Sequence, residues 1–409
     1  MIYYFLGLCF DRYIIERKLF MNRTLAPQHH QALAVRILCS CATKVKTFVA
    51  ANTVLVIASV LAAASCFIVK PDAKYLGYFD LKTLTCLFCT LAVICALKNI
   101  RFFTIVARKI VTYAGNTRTL ALALVYITFI GSMFLANDMA LLTFLPLGYI
   151  SLSATSKEKY MAPIFIFQNV AANLGGMLTP FGNPQNLYIY TKFNIPTGEF
   201  MSVMLLPFAL SIVLFTLCCF FIPKESLTLD TSNEEKIAPK RTAFYLVLFV
   251  VAILTVFRIV PYYVCLPIVL FSVFFADKNA LTKVDYPLLL TFVAFFLLAG
   301  NVSRIGVVNE FLSALLEKNT LLTSTLSCQV ISNVPSAILL SEFTENWREL
   351  LVGVNIGGVG TLISSLASLI TFREYTSHVK GKTLQYIGLF SAINFGFLII
   401  LTTVMMIVM

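Results

Sequence analysis

Two segments of this chain repeat one polar pattern inside otherwise apolar runs, Asn173-Leu-Gly-Gly-Met-Leu-Thr179 and Asn355-Ile-Gly-Gly-Val-Gly-Thr361. Each follows an asparagine embedded in a hydrophobic stretch, Asn137 in Phe134-Leu-Ala-Asn-Asp138 and Asn333 in Val330-Ile-Ser-Asn-Val334. Hydrocarbon cannot satisfy amides or open backbone, so groups of this kind must face protein or a cavity. A duplicated pattern at membrane depth points to two related halves with a polar site where they meet.

Composition sets the solvent. With 59% hydrophobic and 12% charged residues over 409 positions, the chain is made for lipid. Its net charge of +12 sits in short patches between apolar stretches, which encodes membrane orientation rather than a nucleic-acid partner. The cysteines lie mostly inside apolar segments and pack as small hydrophobes, so no disulfide framework is implied. Cys86-Leu-Phe-Cys89 has a metal-like spacing, but it lies mid-span and His29, His30 and His378 fall elsewhere; packing is the better reading. The apolar start Met1 to Phe10 runs straight into Asp11, Arg12, Glu16, Arg17 and Lys18, unlike a cleavable signal. Residues 1–46 are therefore expected to form a cytoplasmic or membrane-surface segment.

A spanning helix needs about 20 apolar residues. On that test crossings are expected at 47–69, 83–97, 162–190, 199–222, 243–260, 261–276, 286–301, 350–371 and 384–408. Two further apolar regions, 119–153 and 320–341, are interrupted by Asn137-Asp138 and by Asn333. The arms of the second are too short to cross a core of about 30 Å, so it reads as a re-entrant hairpin or a packed surface segment. The first has arms long enough for two full spans, and only its likeness to the second favours a hairpin. The expected fold is thus an all-α polytopic membrane protein of about 9–11 membrane segments.

With the N-terminus placed in the cytoplasm, the inside segments hold 23 of the 31 Lys and Arg residues. That orientation opens one hairpin from each side and sends 162–190 and 350–371 in opposite directions. The expected organisation is a first repeat over 47–222, a cytoplasmic linker over 223–242 and a second, inverted repeat over 243–409. Phe79-Asp80 and Val284-Asp285 open corresponding spans. One mismatch remains: the second half has three spans before its hairpin and the first has two.

Within Thr179-Pro-Phe-Gly-Asn-Pro-Gln-Asn186, two prolines and a glycine within five residues cannot continue a helix. The break exposes carbonyls suited to a dehydrated cation, while a half-helix N-terminus offers N–H groups to an anion. Close helix packing explains Gly175-Gly176, yet it does not call for Thr179, Asn183, Gln185 and Asn186 together. The partner segment Asn355 to Ser368 has no proline; Gly353, Gly357, Gly358 and Gly360 permit unwinding, and its serines and Thr361 have the alternative of bonding back to the preceding turn. Asp138 is the one acid inside either hairpin, as an ion ligand, a proton carrier or a helix cap. Arg304 has two readings, an anion partner or an interfacial anchor.

At Ala136-Asn-Asp-Met-Ala140, Asn173 to Leu187 and Ser332-Asn-Val-Pro335 the chain resembles the ion transporter superfamily, which holds citrate and dicarboxylate/sodium symporters, arsenite permeases and some sodium/proton antiporters. The resemblance covers nearly all of 47–409. It implies two inverted repeats, each with a re-entrant hairpin and a broken helix, a homodimer in the plasma membrane, and alternating access. It further implies a first cation site at Asn137, Asp138, Thr179, Gly182 and Asn183, and a second at Asn333, Thr361, Ser364 and Ser365. The substrate would lie between the tips, at Asn137, Asn186, Ser332 and Asn333. The chain departs from the dicarboxylate symporters, which carry Ser-Asn-Thr at both tips where this sequence reads Ala-Asn-Asp and Ser-Asn-Val. That departure raises the weight of proton coupling.

The expected function is secondary active transport of a small anion, citrate or another carboxylate among them, driven by sodium or protons. Arsenite efflux and sodium/proton antiport are the alternative. An enzyme would need a nucleophile with a base or a metal set in the core, and the sequence offers none there; no cofactor is expected other than a bound sodium ion. A passive channel would need a continuous hydrated path, at odds with two tips approaching from opposite faces.

Overall fold

Apolar length and helix breakers together decide where this chain can be helical, and a computed structural model describes residues 48, 49, 52–227 and 237–409. The segment expected over 1–46 and the middle of the 223–242 linker lie outside the described residues. The helices run α1 (Thr53–Ile68), α2 (Leu81–Asn99), α3 (Phe102–Val111), α4 (Thr117–Leu135), α5 (Asn137–Ala154), α6 (Met161–Gly175), α7 (Pro184–Lys192) and α8 (Thr197–Phe220). They continue as α9 (Pro239–Val256), α10 (Tyr262–Ala276), α11 (Lys278–Thr282), α12 (Tyr286–Val302), α13 (Gly306–Lys318), α14 (Thr320–Ile331), α15 (Asn333–Leu340), α16 (Trp347–Ile356), α17 (Leu366–His378) and α18 (Thr383–Val408). No strand occurs among the described residues, apart from a single bridge between Asn116 and Ser226.

Helix starts follow the capping chemistry of the sequence. Asp80 and Asp285, the matched openers of α2 and α12, accept from Thr83 N and Leu288 N at 2.9 and 3.0 Å. Asn116 forms a capping box with Thr119 at the head of α4. Pro184 occupies the first position of α7, where its missing N–H costs nothing.

Among the described residues, six helical segments are long and apolar enough to cross a membrane: α2, α4, Glu158–Leu178, α8, α9 and α18. A seventh is added if α12 and α13, bent by 100° at their junction, count as one span. This is fewer than the nine crossings counted from hydropathy, and the reason is helix length. The 47–69 and 261–276 regions form helices of 16 and 15 residues, about 24 and 22 Å at 1.5 Å per residue. The 350–371 region is interrupted between Ile356 and Leu366. Conversely, α3 and α13 occupy stretches that hydropathy leaves as connections.

The apolar surface is where lipid contact requires it. Only 28% of the most apolar window of α8 is buried, against 83% for Glu158–Leu178. Helix α8 therefore leaves most of its apolar surface exposed, while α6 lies at the centre of the packing.

Each half of the chain contains the same local sequence of events. A helix ends at a single residue of positive φ, a second helix turns back, and the next helix is interrupted at a glycine-rich break. In the first half these are α4, Ala136, α5 and the break between α6 and α7; in the second they are α14, Ser332, α15 and the break between α16 and α17. Gly175 and Gly353 let each broken helix meet its hairpin. A Cβ on Gly175 would lie 2.2 Å from Phe129 O, and one on Gly353 would lie 1.9 Å from Ser324 Oγ. The halves interlock: α15 and α16 pack on α7, α17 on α5 and α6, and α18 on α6.

Beyond α8, Glu225 fastens the start of the linker. It accepts from Lys157 Nζ and Lys159 Nζ, each at 2.6 Å, and from the Tyr160 hydroxyl. These donors hold its carboxyl down at about 2, well below the ordinary carboxylate range.

Candidate functional site

The polar residues of both motifs converge between the two breaks. Ala136 and Ser332, the last residues before the return arms, have nearly the same backbone, φ 65° and ψ 153° against φ 73° and ψ 161°. That region is strained for residues with a Cβ, at roughly 1–3 kcal/mol each. The next residue is asparagine in both cases, and its Oδ1 accepts from the following amide. Asp138 N donates to Asn137 Oδ1 at 3.0 Å and Val334 N to Asn333 Oδ1 at 2.9 Å. The asparagine thereby satisfies an end amide that a conventional cap would take.

In the first half α6 tightens into one 3₁₀ turn at Gly176–Leu178 and restarts at Pro184. Asn186 supports this break: its Nδ2 donates to Gly176 O, Met177 O and Thr179 O at 3.1–3.2 Å. Its Oδ1 accepts from Asn355 Nδ2 at 2.6 Å. Thr179 donates to Met133 O at 3.2 Å, tying the break to the end of α4. Gly182 closes on Gly176, and a Cβ there would sit 2.3 Å from Gly176 O and 2.7 Å from Thr179 Oγ1. Asn183 donates weakly to Asn173 O and Asn355 Oδ1, at 3.5 and 3.4 Å.

Four buried acceptors in this half have no hydrogen-bond partner among the described residues: Gln168 Oε1 within α6, and Asp138 Oδ1, Asn183 Oδ1 and Gln185 Oε1 at the turn and the break. Leaving such oxygens unmet costs about 1–3 kcal/mol each, so their retention favours a ligand that brings positive charge or donors. Asp138 lies in the first turn of α5 and does not cap it through its side chain.

The break and turn of the second half are better satisfied, with none of the unpartnered buried atoms falling in 329–336 or 355–368. Ser364 Oγ donates to Gly358 O and Thr361 O at 2.9 and 2.8 Å, and Ser365 Oγ accepts from Ser368 N at 3.2 Å to cap α17. Thr361 Oγ1 donates to Gln329 O at 3.1 Å, while its N–H meets Gln329 Oε1 at 2.9 Å. Gly360 has φ +137°, and a Cβ on it would lie 2.1 Å from that same Gln329 oxygen. The second tip seats on the break directly: Asn333 N donates to Ser364 O at 2.9 Å and Ser332 Oγ to the same oxygen at 3.2 Å.

Several members of this network stand outside the site drawn from the sequence. Asn173, Asn355 and Gln329 are central to it, alongside Gln185, which the sequence already marks in the first break; Asn173 and Asn355 are the asparagines that open the duplicated pattern. Gln329 carried no signal, being one polar residue of α14 among several. Arg304 is engaged elsewhere. It donates to both Asp72 carboxylate oxygens at 3.1 and 2.7 Å and to Tyr78 Oη at 3.0 Å, and its guanidinium holds the Asp72 carboxyl below the usual range. Cys86 and Cys89 are buried free thiols, and no group of three potential metal ligands occurs among the described residues.

Comparison with known proteins agrees with this architecture. Residues 42–346 match the family described as citrate transporter. An uncharacterized transporter of Methanocaldococcus jannaschii is 33% identical over 308 residues, covering 75% of this chain and 84% of the relative. The inner membrane protein YbiR of Escherichia coli is 32% identical over 282 residues, covering 66% and 74%. A second uncharacterized M. jannaschii transporter is 26% identical over 294 residues, covering 64% and 65%. This multi-pass membrane protein therefore belongs to the citrate transporter family.

Proposed function

We propose that this protein is a secondary active transporter of a small anion, a carboxylate such as citrate, coupled to a sodium or proton gradient. The observation that carries the reading is the set of unpartnered buried acceptors, Asp138 Oδ1, Asn183 Oδ1 and Gln185 Oε1, beside a broken helix. No Lys, Arg or His occurs in 134–140, 173–186, 329–336 or 355–368. An anion held there has no side-chain cation to meet, so its charge is offset by a co-bound sodium ion or proton and by half-helix N-termini.

In this reading 47–222 and 243–409 are inverted repeats joined by a cytoplasmic linker, with α4–α5 and α14–α15 as re-entrant hairpins. The N-terminus is cytoplasmic, and the chain works as a homodimer in the plasma membrane. The cation lies by Asn137, Asp138, Thr179, Gly182 and Asn183. The second set, Asn333, Thr361, Ser364 and Ser365, keeps the frame while its hydroxyls are committed to backbone, which suits a weaker site. Substrate meets Asn137, Ser332 and Asn333, and Asn186 shapes the break beneath it. Alternating access follows from moving this polar unit between the two faces.

The lone carboxylate supports a second reading, arsenite efflux or sodium/proton antiport, in which Asp138 carries the coupled cation. Uptake of labelled citrate, succinate, sulfate and arsenite into proteoliposomes, under separate sodium and proton gradients, tests both. Gradient-driven accumulation of citrate or succinate supports the carboxylate reading; movement of arsenite alone favours the second, and movement of none contradicts the small-anion assignment.

A further inference from the structure

A line of asparagines leads away from the first tip through the centre of the protein. Asn137 Nδ2 donates to Asn173 Oδ1 at 3.1 Å. Asn173 Nδ2 in turn donates to Asn169 O at 3.1 Å and reaches Asn169 Oδ1 at 3.5 Å. Asn169 Nδ2 is shared between Asn394 Oδ1 of α18 and Ser368 Oγ of α17, both at 3.3 Å. Asn394 Nδ2 ends the line on Phe390 O at 2.9 Å. From Ser368 a 3.0 Å contact continues to Ser365, the cap of α17 at the second break.

Every amide in this series donates away from the tip, so the bonds are aligned head to tail and polarise one another. The interior members are shielded from solvent: Asn169, Asn394, Ser365 and Ser368 are fully buried, and Asn173 is 2% exposed. Packing alone does not account for it. An apolar side chain at Asn169 would fill the same space without the cost of burying an amide. Asn394 also lies beyond the 42–346 stretch that matches the family, so the line recruits the last helix of the chain into the polar centre.

We infer that Asn169 is a positioning residue that couples the two halves: through it the first tip and the start of α17 share one arrangement, and ligand capture at one is felt at the other. Asn169 touches neither tip. It acts through Asn173 on one side and through Ser368 on the other, while Asn394 fixes its amide plane.

The test is a set of double-mutant cycles on the full chain in detergent, read by thermal melting, which needs no transport and therefore stands apart from the functional reading above. Asn137→Ala and Ser365→Ala are combined in the wild-type background and again with Asn169→Ala. Uncoupled sites shift melting additively, and no direct hydrogen bond joins Asn137 to Ser365. The inference predicts that the double variant departs from additivity by about 2 °C or more in the wild-type background, and that the departure disappears with Asn169→Ala. Additivity in the wild-type background overturns it, as does a departure that survives Asn169→Ala. If Asn169→Ala does not fold, Ser368→Ala serves, because it removes the hydroxyl through which Asn169 reaches Ser365 while leaving the bonds between Asn169 and Asn173 in place; the same two outcomes decide.

Discussion

Asn355 Nδ2 donates to Asn186 Oδ1 at 2.6 Å, joining the two helix breaks by a side-chain bond between residues that open and close matching motifs of different halves. Both side chains are buried. Asn355 also accepts, at 3.4 and 3.5 Å, from Asn183 and Gln185, so one amide serves three residues of the opposite break. This bond holds the unwound backbone of the first half against the second.

Replacing Asn186 by Ala removes the donor for Gly176 O, Met177 O and Thr179 O and leaves Asn355 Nδ2 without that acceptor. The expected loss is about 2–4 kcal/mol, at the upper end for a buried polar network. Melting of the purified variant checks it, with Asn186→Asp as a control that keeps the acceptor and loses the donor.

Ala136 occupies a backbone region that disfavours any Cβ. Ala136→Val adds branching there and should destabilise by roughly 1–3 kcal/mol. Ala136→Gly should be neutral or stabilising by up to about 1 kcal/mol, since relief of strain opposes the greater freedom of unfolded glycine. The same pair of substitutions at Ser332 should follow the same order, which melting curves would show.

Glu225 supplies a pH dependence. Its folded carboxyl sits at about 2, below the ordinary value near 4.3, so its contribution to stability is fully present above the ordinary value and is lost as pH falls through about 2. Wild type should melt higher than Glu225→Gln at neutral pH, with the gap narrowing steadily below about pH 4.

Gly353 is packed against Ser324, and Gly353→Ala should destabilise by about 1–3 kcal/mol through overpacking. The double variant with Ser324→Gly should recover part of that loss. A recovery measured by melting would establish the contact as the cause.

Much of this site is legible in the chain, for reasons that are local. Pro180 and Pro184 cannot sit in a continuous helix, so the first break is written in the sequence, as are the caps Asp80 and Asp285. Which amide meets which is not written there. Asn173 and Asn355 announce themselves by repetition, yet their partners Asn137 and Asn186, like Gln329 on Thr361, are chosen by the packing of distant helices. The strained φ at Ala136 and Ser332 has no local signal, because neither residue is glycine. Hydropathy measures apolar length and not helix length, so its nine runs exceed the six or seven helical segments of crossing length, and it leaves α3 and α13, which are short and carry charged residues, as connections.

The most direct measurement compares wild type with Asp138→Asn in proteoliposomes, following accumulation of labelled citrate under an inward sodium gradient and, separately, an inward proton gradient. The account predicts that wild type concentrates citrate above the external level under at least one gradient, that collapse of that gradient abolishes accumulation, and that Asp138→Asn loses it while retaining the fold. Full gradient-driven accumulation by Asp138→Asn, or citrate uptake by wild type that only equilibrates whatever the gradient, would contradict it.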